Sequence, residues 1–250
     1  MDFFQTLLHS EIFFYVLLFI VAMLYASVGH GGASGYLALM ALFSYAPDTM
    51  RPTALILNLF VSFTSFLQYY RGGHFRWKLF WPFAIASIPA AFIGGMIVMD
   101  AKLYKIILGI LLLFSVVRLG GMKFEESKNE NQQSFVLSLI IGGIIGILSG
   151  MIGIGGGIIL SPVILLLHWA NMKQTAAVSA IFILVNSIAG LAGLFTRSFH
   201  FSPDMAWMIV VAFVGGLTGS YIGAMKFKGE FLRKVLAFVL LIASIKLLFT

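Results

Sequence analysis

The sequence predicts an all-α integral membrane protein built as a duplicated helical bundle of two similar halves. Three observations carry this. Of the 250 residues, 60% are hydrophobic and only 10% are charged, against about 25% charged in soluble domains. The apolar residues fall into ten runs. The second five runs match the first five in order and in several short motifs.

Mean hydropathy is +1.03, so too few polar residues exist to cover a globule, and lipid must cover the rest. The net charge of +7 does not point to nucleic acid, because the basic residues sit in short loops between apolar runs and form no stripe. With no cysteine, disulfides, thiolate metal sites and cysteine nucleophiles are excluded. No cofactor or metal is expected. The first ten residues carry no Lys or Arg, so the first apolar run is expected to stay as a membrane helix rather than to act as a cleaved signal.

The runs span roughly 12–28, 36–46, 53–70, 79–99 and 103–119, then 135–149, 158–170, 175–195, 206–225 and 232–249. About 20 helical residues cross a ~30 Å hydrocarbon core. The third, fourth and fifth runs of each set are long enough. The second of each set, 36–46 and 158–170, is about half a crossing at about 1.5 Å per residue. One long polar stretch, Lys123 to Ser134, joins the sets. The expected organisation is a first membrane repeat over 1–122, a central loop over 123–134 and a second repeat over 135–250.

Three matches support duplication. Ser27 to Ser34 (SVGHGGAS) matches Met151 to Ile158 (MIGIGGGI), Arg71 to Phe75 matches Arg197 to Phe201, and Leu103 to Ser115 matches Leu232 to Ser244. If the first two runs of each half make one crossing, the repeats are parallel, with eight spans, and the 16 basic residues split evenly. If they form a hairpin that returns to its starting side, the repeats are inverted. Eleven basic residues, from Arg71 to Lys234, then share one side, and Arg51, Lys102, Lys105, Arg197 and Lys246 take the other. Lys and Arg favour the cytoplasmic side, so the count favours inversion, with both termini outside and Gly-broken short helices meeting near the midplane. A hairpin of two full crossings gives the same count, and the parallel arrangement remains the alternative.

The glycine clusters Gly29–Gly32 and Gly153–Gly157 interrupt apolar runs at matching positions. Single glycines such as Gly94, Gly109, Gly142 and Gly223 fit close helix packing. Three glycines in five residues instead unwind a helix, and unwound backbone at membrane depth persists only inside protein or against a watery cavity. Paired interruptions of this kind mark the binding site in inverted-repeat transporters. Short helices are expected to begin near Ala33 and Ile158, with Pro162 in the first turn of the second. Their N-termini would aim N–H groups and a positive dipole end at the glycine turns, which is an anion site without a cationic side chain.

No Asp or Glu lies inside an apolar run, which disfavours carboxylate-based cation transport and carboxylate proton relays. His30 is the titratable side chain expected at mid-depth. It either binds an oxyanion or ties to a nearby carbonyl, and both readings stand. His168, near Trp169, reads as an interface group, and His74 and His200 as loop residues. Trp77, Trp81, Trp169 and Trp207 read as interface anchors. The candidate substrate site is Gly29, His30, Gly31, Gly32, Ala33 and Ser34 with Gly153, Gly155, Gly156, Gly157 and Ile158, lined by Asn58, Ser179 and Asn186.

The segment Gly143 to Leu167 (GIIGILSGMIGIGGGIILSPVILLL) resembles the sulfite exporter TauE/SafE family, over essentially the whole chain. The first-half copy departs from this motif, with His30 among the glycines and Ala38 where Pro162 would match. The resemblance implies about eight spans in two similar halves. It further implies transport of a small sulfur-containing anion, of the sulfite, sulfonate or thiosulfate class, across the bacterial inner membrane. The expected partners are that anion and lipid, not nucleic acid; homo-oligomerisation is left open. No enzyme activity is expected. An anion channel is the nearer rival. An intramembrane serine protease is the remote one, resting on Gly32–Gly35 (GASG) with Ser34 as nucleophile. It lacks a histidine placed at matching depth on another helix.

Overall fold

The computed structural model describes residues 11–27, 31–121, 131–196, 203–224 and 230–249. Ten helices occupy them: α1 (Glu11–Ser27), α2 (Ala33–Leu42), α3 (Pro47–Arg71), α4 (Trp77–Met96), α5 (Ala101–Gly121), α6 (Phe135–Ile152), α7 (Gly157–Leu166), α8 (Met172–Phe195), α9 (Pro203–Ala224) and α10 (Glu230–Phe249). Four of these, α3, α4, α6 and α8, are long and apolar enough to cross a bilayer. Large apolar side chains such as Ile85, Ile93, Ile140 and Ile144 face outward, while Asn58, Ser62, Ser179, Asn186 and Ser187 are fully buried. That distribution suits lipid outside and polar pairing inside.

The helices pack by close backbone approach at small residues. Gly142, Gly146 and Gly150 rest in turn on Phe83, Ser87 and Ala91. Both numbers rise together, so α6 runs parallel to α4. Likewise Gly215 rests on Phe19 and Gly219 on Met23, so α9 runs parallel to α1. At the centre α3 crosses α8 antiparallel, with Asn58 at Ser187 and Leu55 at Gly190. α5 packs on α10, and the Ser244 hydroxyl donates to the Gly109 carbonyl at 2.7 Å. The two sets of five helices are therefore interlaced rather than side by side.

Each short helix folds back along the long helix before it. In the first pair Gly35 lies against Val21 and Tyr25, and Phe43, just past α2, meets Phe14 edge to face with centroids 5.1 Å apart. In the second pair Gly156 faces Ile145, partway along α6. The chain after α7 then reaches the level before α6, where Asn131 N–H donates to the His168 carbonyl at 2.7 Å. Ten residues of helix advance about 15 Å, so α2 and α7 each reach about halfway through a ~30 Å core.

Two local expectations change. Because α7 starts at Gly157, Pro162 stands in its second turn, not its first; lacking an N–H, it gives no helical bond to the Ile158 carbonyl. Trp169 is buried against Phe83, at 6.0 Å between centroids, and is a core residue rather than an interface anchor. Its neighbour His168 takes a positive φ of 55° in the turn that ends α7. Trp77, Trp81 and Trp207 are half exposed or more.

Candidate functional site

Both short helices begin at a left-handed glycine, Gly32 (φ 87°) before α2 and Gly156 (φ 79°) before α7. L-residues avoid this region, which explains why glycine occupies both positions. Neither N-terminus carries a side-chain cap. The second turn needs two more such glycines, Gly153 (φ 88°) and Gly155 (φ 74°).

The two turns meet. A β-carbon on Gly31 would lie 3.0 Å from Asn58 Oδ1 and 2.9 Å from Ile183 Cγ2. A β-carbon on Gly155 would lie 2.6 Å from Asn58 Nδ2 and 2.8 Å from the same Ile183 methyl. Asn58 on α3 and Ile183 on α8 thus sit between the turns, and both turns present bare backbone to them. Gly157 also abuts Ile183, and lies by the Ser179 carbonyl.

The polar groups here are buried and incompletely matched. Asn58 Nδ2 donates to Ser187 Oγ at 3.3 Å, while its Oδ1 has no partner. The Tyr36 hydroxyl, fully buried, also has none; it would lie 2.6 Å from a β-carbon on Gly32. Buried polar atoms are nearly always satisfied; these two are among seven buried side-chain atoms without a partner among the described residues, and both lie beside the glycine turns. Ser179 exchanges a hydrogen bond with Ser161 (2.8 Å), which donates to the Gly157 carbonyl (2.8 Å) and so ties α8 to the start of α7. Asn186 is fully buried but turns its amide back to the Phe182 carbonyl at 2.8 Å, on its own helix, leaving Oδ1 unmatched.

Of the sequence candidates, Gly31, Gly155, Gly157, Asn58 and Ser179 come together, with Gly32, Ala33, Gly153, Gly156 and Ile158 in the same turns. Ser34 exchanges a 2.7 Å hydrogen bond with Tyr25 and staples α2 to α1. Gly29 and His30 lie outside the described residues. Sequence reasoning missed Tyr36, Ile183 and Arg51, and did not single out Ser187 from the polar residues of its run. Arg51 is buried and donates to the carbonyls of Gly150 (2.9 Å), Gly94 (2.8 Å), Gly95 (2.6 Å) and Ile97 (3.0 Å). It joins the C-terminal ends of α4 and α6, where a cation complements the helix dipoles. Tyr104 adds a bond to the Ile152 carbonyl at 3.0 Å, next to the second turn.

Paired half-helices with glycine turns, set among lipid-facing spans, define a membrane protein of the transporter class. Residues 14–247 match the Sulfite exporter TauE/SafE family, and the chain belongs to it. It is 36% identical over 235 residues to the probable membrane transporter protein y4hK of Sinorhizobium fredii, covering 92% of this chain and 95% of that one. It is 27% identical over 191 residues to a probable membrane transporter protein of Methanocaldococcus jannaschii (72% and 70% covered). It is 26% identical over 217 residues to one of Bacillus subtilis (84% and 87%). No solved structure matches the chain.

Proposed function

We propose that this protein carries a small sulfur-containing anion, a sulfite, thiosulfate or sulfonate, across the bacterial inner membrane by alternating access, and that the two glycine turns enclose one central site. The observation that carries the reading is the position of Asn58, touched by Gly31 from one half and Gly155 from the other. Uncapped helix N-termini offer N–H groups and a positive dipole end to an anion. The Tyr36 hydroxyl adds an unused O–H, and rotation of the Asn58 amide would add an N–H. The family name supports a sulfur oxyanion as the cargo.

Inverted repeats fit this mechanism. α3 and α8 hold the same place in the two halves yet run antiparallel, and each short helix returns toward the side it came from. Rocking of one set of helices against the other would open the central site to each side in turn. The basic residues then place the 123–134 loop in the cytoplasm.

Flux into proteoliposomes across sulfite, thiosulfate, ethanesulfonate and acetate tests the reading. Saturable uptake of the sulfur anions with accelerated exchange against internal anion is expected. Uptake of none of them removes the cargo assignment, and unsaturable flux without exchange indicates a channel. Cysteines at Gly73 and Ser202 should label from opposite sides; labelling from one side would refute inversion.

A further inference from the structure

Just before the second glycine turn, α4, α6 and α8 bring three polar side chains to one level of the bundle. The contacts set the register. Phe83 of α4 lies against Gly142 of α6 and meets Phe182 of α8 edge to face, at 6.5 Å between centroids. About two turns on, Gly150 of α6 lies on Ala91 of α4 and against Gly190 of α8. The numbers rise together, so the three helices are parallel. The turn between these contacts holds Ser87 of α4, Gly146 of α6, which rests on Ser87, and Asn186 of α8. Ser149 follows Gly146 on α6, about 4.5 Å further along the axis. Asn186 lies on the stripe of α8 that faces α4, between Phe182 and Gly193, which packs on Phe92 and Gly95.

Ser87, Ser149 and Asn186 are fully buried, and Ser87 Oγ, Ser149 Oγ and Asn186 Oδ1 have no hydrogen-bond partner among the described residues. Hydroxyls elsewhere in the bundle satisfy themselves locally. Thr53, Ser62, Ser115, Ser138 and Ser161 each donate to the carbonyl four residues back, a common bond for short polar side chains in helices. Ser87 and Ser149 make no such bond. Asn186 donates its Nδ2 to the Phe182 carbonyl and leaves its oxygen over. Unmet buried oxygens are costly, and three at one level are more than packing calls for. By spacing, Ser149 and Asn186 match Tyr25 and Val61 in the first half. There the Tyr25 hydroxyl is bonded to Ser34, and Val61 packs on Gly216.

The chemistry of the group selects its ligand. α4, α6 and α8 contain no Asp or Glu, so it offers neutral oxygens alone. Hard cations take oxygen ligands, and the divalent ones draw on carboxylates, which leaves a monovalent cation. Helices that touch at glycine leave room for a small one. Arg51 engages the Gly150 carbonyl at the next turn and repels a cation, so binding on the millimolar scale is expected. The position also suits coupling, because broken helices in transporters hold Na⁺ beside the substrate. The Ser149 carbonyl accepts the N–H of Gly153, at the head of the second turn, at 2.9 Å. Asn186 adjoins Ser187, whose hydroxyl accepts from Asn58. We propose that Ser87, Ser149 and Asn186 form a Na⁺ site, and that Na⁺ bound there firms the second turn for the anion. Each ion then raises the affinity for the other by the same factor. The coupling rests on the transport reading; the Na⁺ site itself does not.

Melting of the purified chain in detergent is compared in NaCl, KCl and choline chloride at equal ionic strength, with no sulfur anion present. At a concentration about tenfold above its Kd, Na⁺ should raise Tm by roughly 3–6 °C over K⁺ or choline, and radiolabelled Na⁺ should bind saturably. Ser87→Ala and Asn186→Leu should each abolish the Na⁺ response. Their melting in KCl should stay level or rise, since each removes an unpartnered oxygen. Ser65→Ala, which removes an unpartnered hydroxyl on α3, should keep the response. Equal melting of the unaltered chain in all three salts overturns the proposal and makes water the occupant. A Na⁺ response that persists in both Ser87→Ala and Asn186→Leu overturns it as well. In proteoliposomes an inward Na⁺ gradient should speed ethanesulfonate uptake by about fivefold or more. Uptake at the same rate in Na⁺ and choline overturns the coupling. If Na⁺ binds as expected but no sulfur anion is transported, the Na⁺ site stands and the transport reading falls.

Discussion

The two glycine turns stand at matching positions in the sequence and are held in different ways. In the second turn three left-handed glycines lead into α7, and two side chains from the other half secure its approach. Arg51 clasps the ends of α4 and α6, and Tyr104 holds the Ile152 carbonyl. The positions that match Arg51 by spacing in the second half, Thr175 to Ala177, carry no cation. In the first pair a local staple between Tyr25 and Ser34 ties α2 to α1. The chemistry is divided as well. By spacing, His30, Tyr36 and Asn58 match Ile154, Leu160 and Ile183. At the meeting point the first half brings Asn58 and, beside Gly32, Tyr36, whereas the second brings the Ile183 side chain and the Ser187 hydroxyl. Packing constrains the two turns alike, which leaves each free to differ in the side chains it presents.

This contrast can be broken at its strongest point first. Arg51→Met would leave several buried carbonyls without their charged donor, at about 1.5–3 kcal/mol for a bond of this kind. A fall in melting temperature of roughly 5–10 °C is expected in detergent. Thr175→Ala, on the opposite copy, should change it by far less. Equal effects would mean that the second turn is not specially anchored.

Next come the glycines that face Asn58. Gly155→Ala forces a side chain into a left-handed residue, costing about 1–2 kcal/mol, and drives its methyl onto Asn58. Gly31 lies outside the left-handed region, so Gly31→Ala tests the close approach alone. Both should lower uptake by about tenfold or more, with Gly155→Ala also lowering stability. Normal uptake in both would return these glycines to helix packing.

Tyr36→Phe is expected to have a smaller effect. It removes an unpartnered hydroxyl and should leave the melting temperature unchanged or slightly higher. Uptake affinity should fall by about threefold to tenfold if that hydroxyl donates to the anion, on the scale of one hydrogen bond at about 1 kcal/mol. Unchanged affinity would limit the first half's contribution to Asn58 and the backbone.

Much of this arrangement was legible in the chain. Glycine density located both turns, because three glycines in five residues cannot hold a helix together. Run length foresaw two short helices, and both short runs form ten-residue helices. Asn58 stood out as an amide in an apolar run. The pairing of α4 with α6 was not legible, since it depends on the fit of Gly142, Gly146 and Gly150 to a distant backbone. Arg51 read as a loop cation because the apolar run starts after it. Helix α3 instead begins at Pro47, a favourable first position, and carries Arg51 inward. Tyr36 was not singled out, because a ring among leucines gives no sign of where its hydroxyl points. Trp169 read as an interface anchor for the converse reason.

The central claim is that both turns bind one anion around Asn58, and uptake of ethanesulfonate by Asn58→Leu tests it most directly. Leucine keeps the volume and removes both amide groups, and Ser187 can turn its hydroxyl back to its own helix. Uptake at subsaturating anion should fall by at least about tenfold, roughly 1.4 kcal/mol, with the melting temperature kept within a few degrees. Uptake with unchanged rate and affinity in a folded Asn58→Leu protein would contradict it.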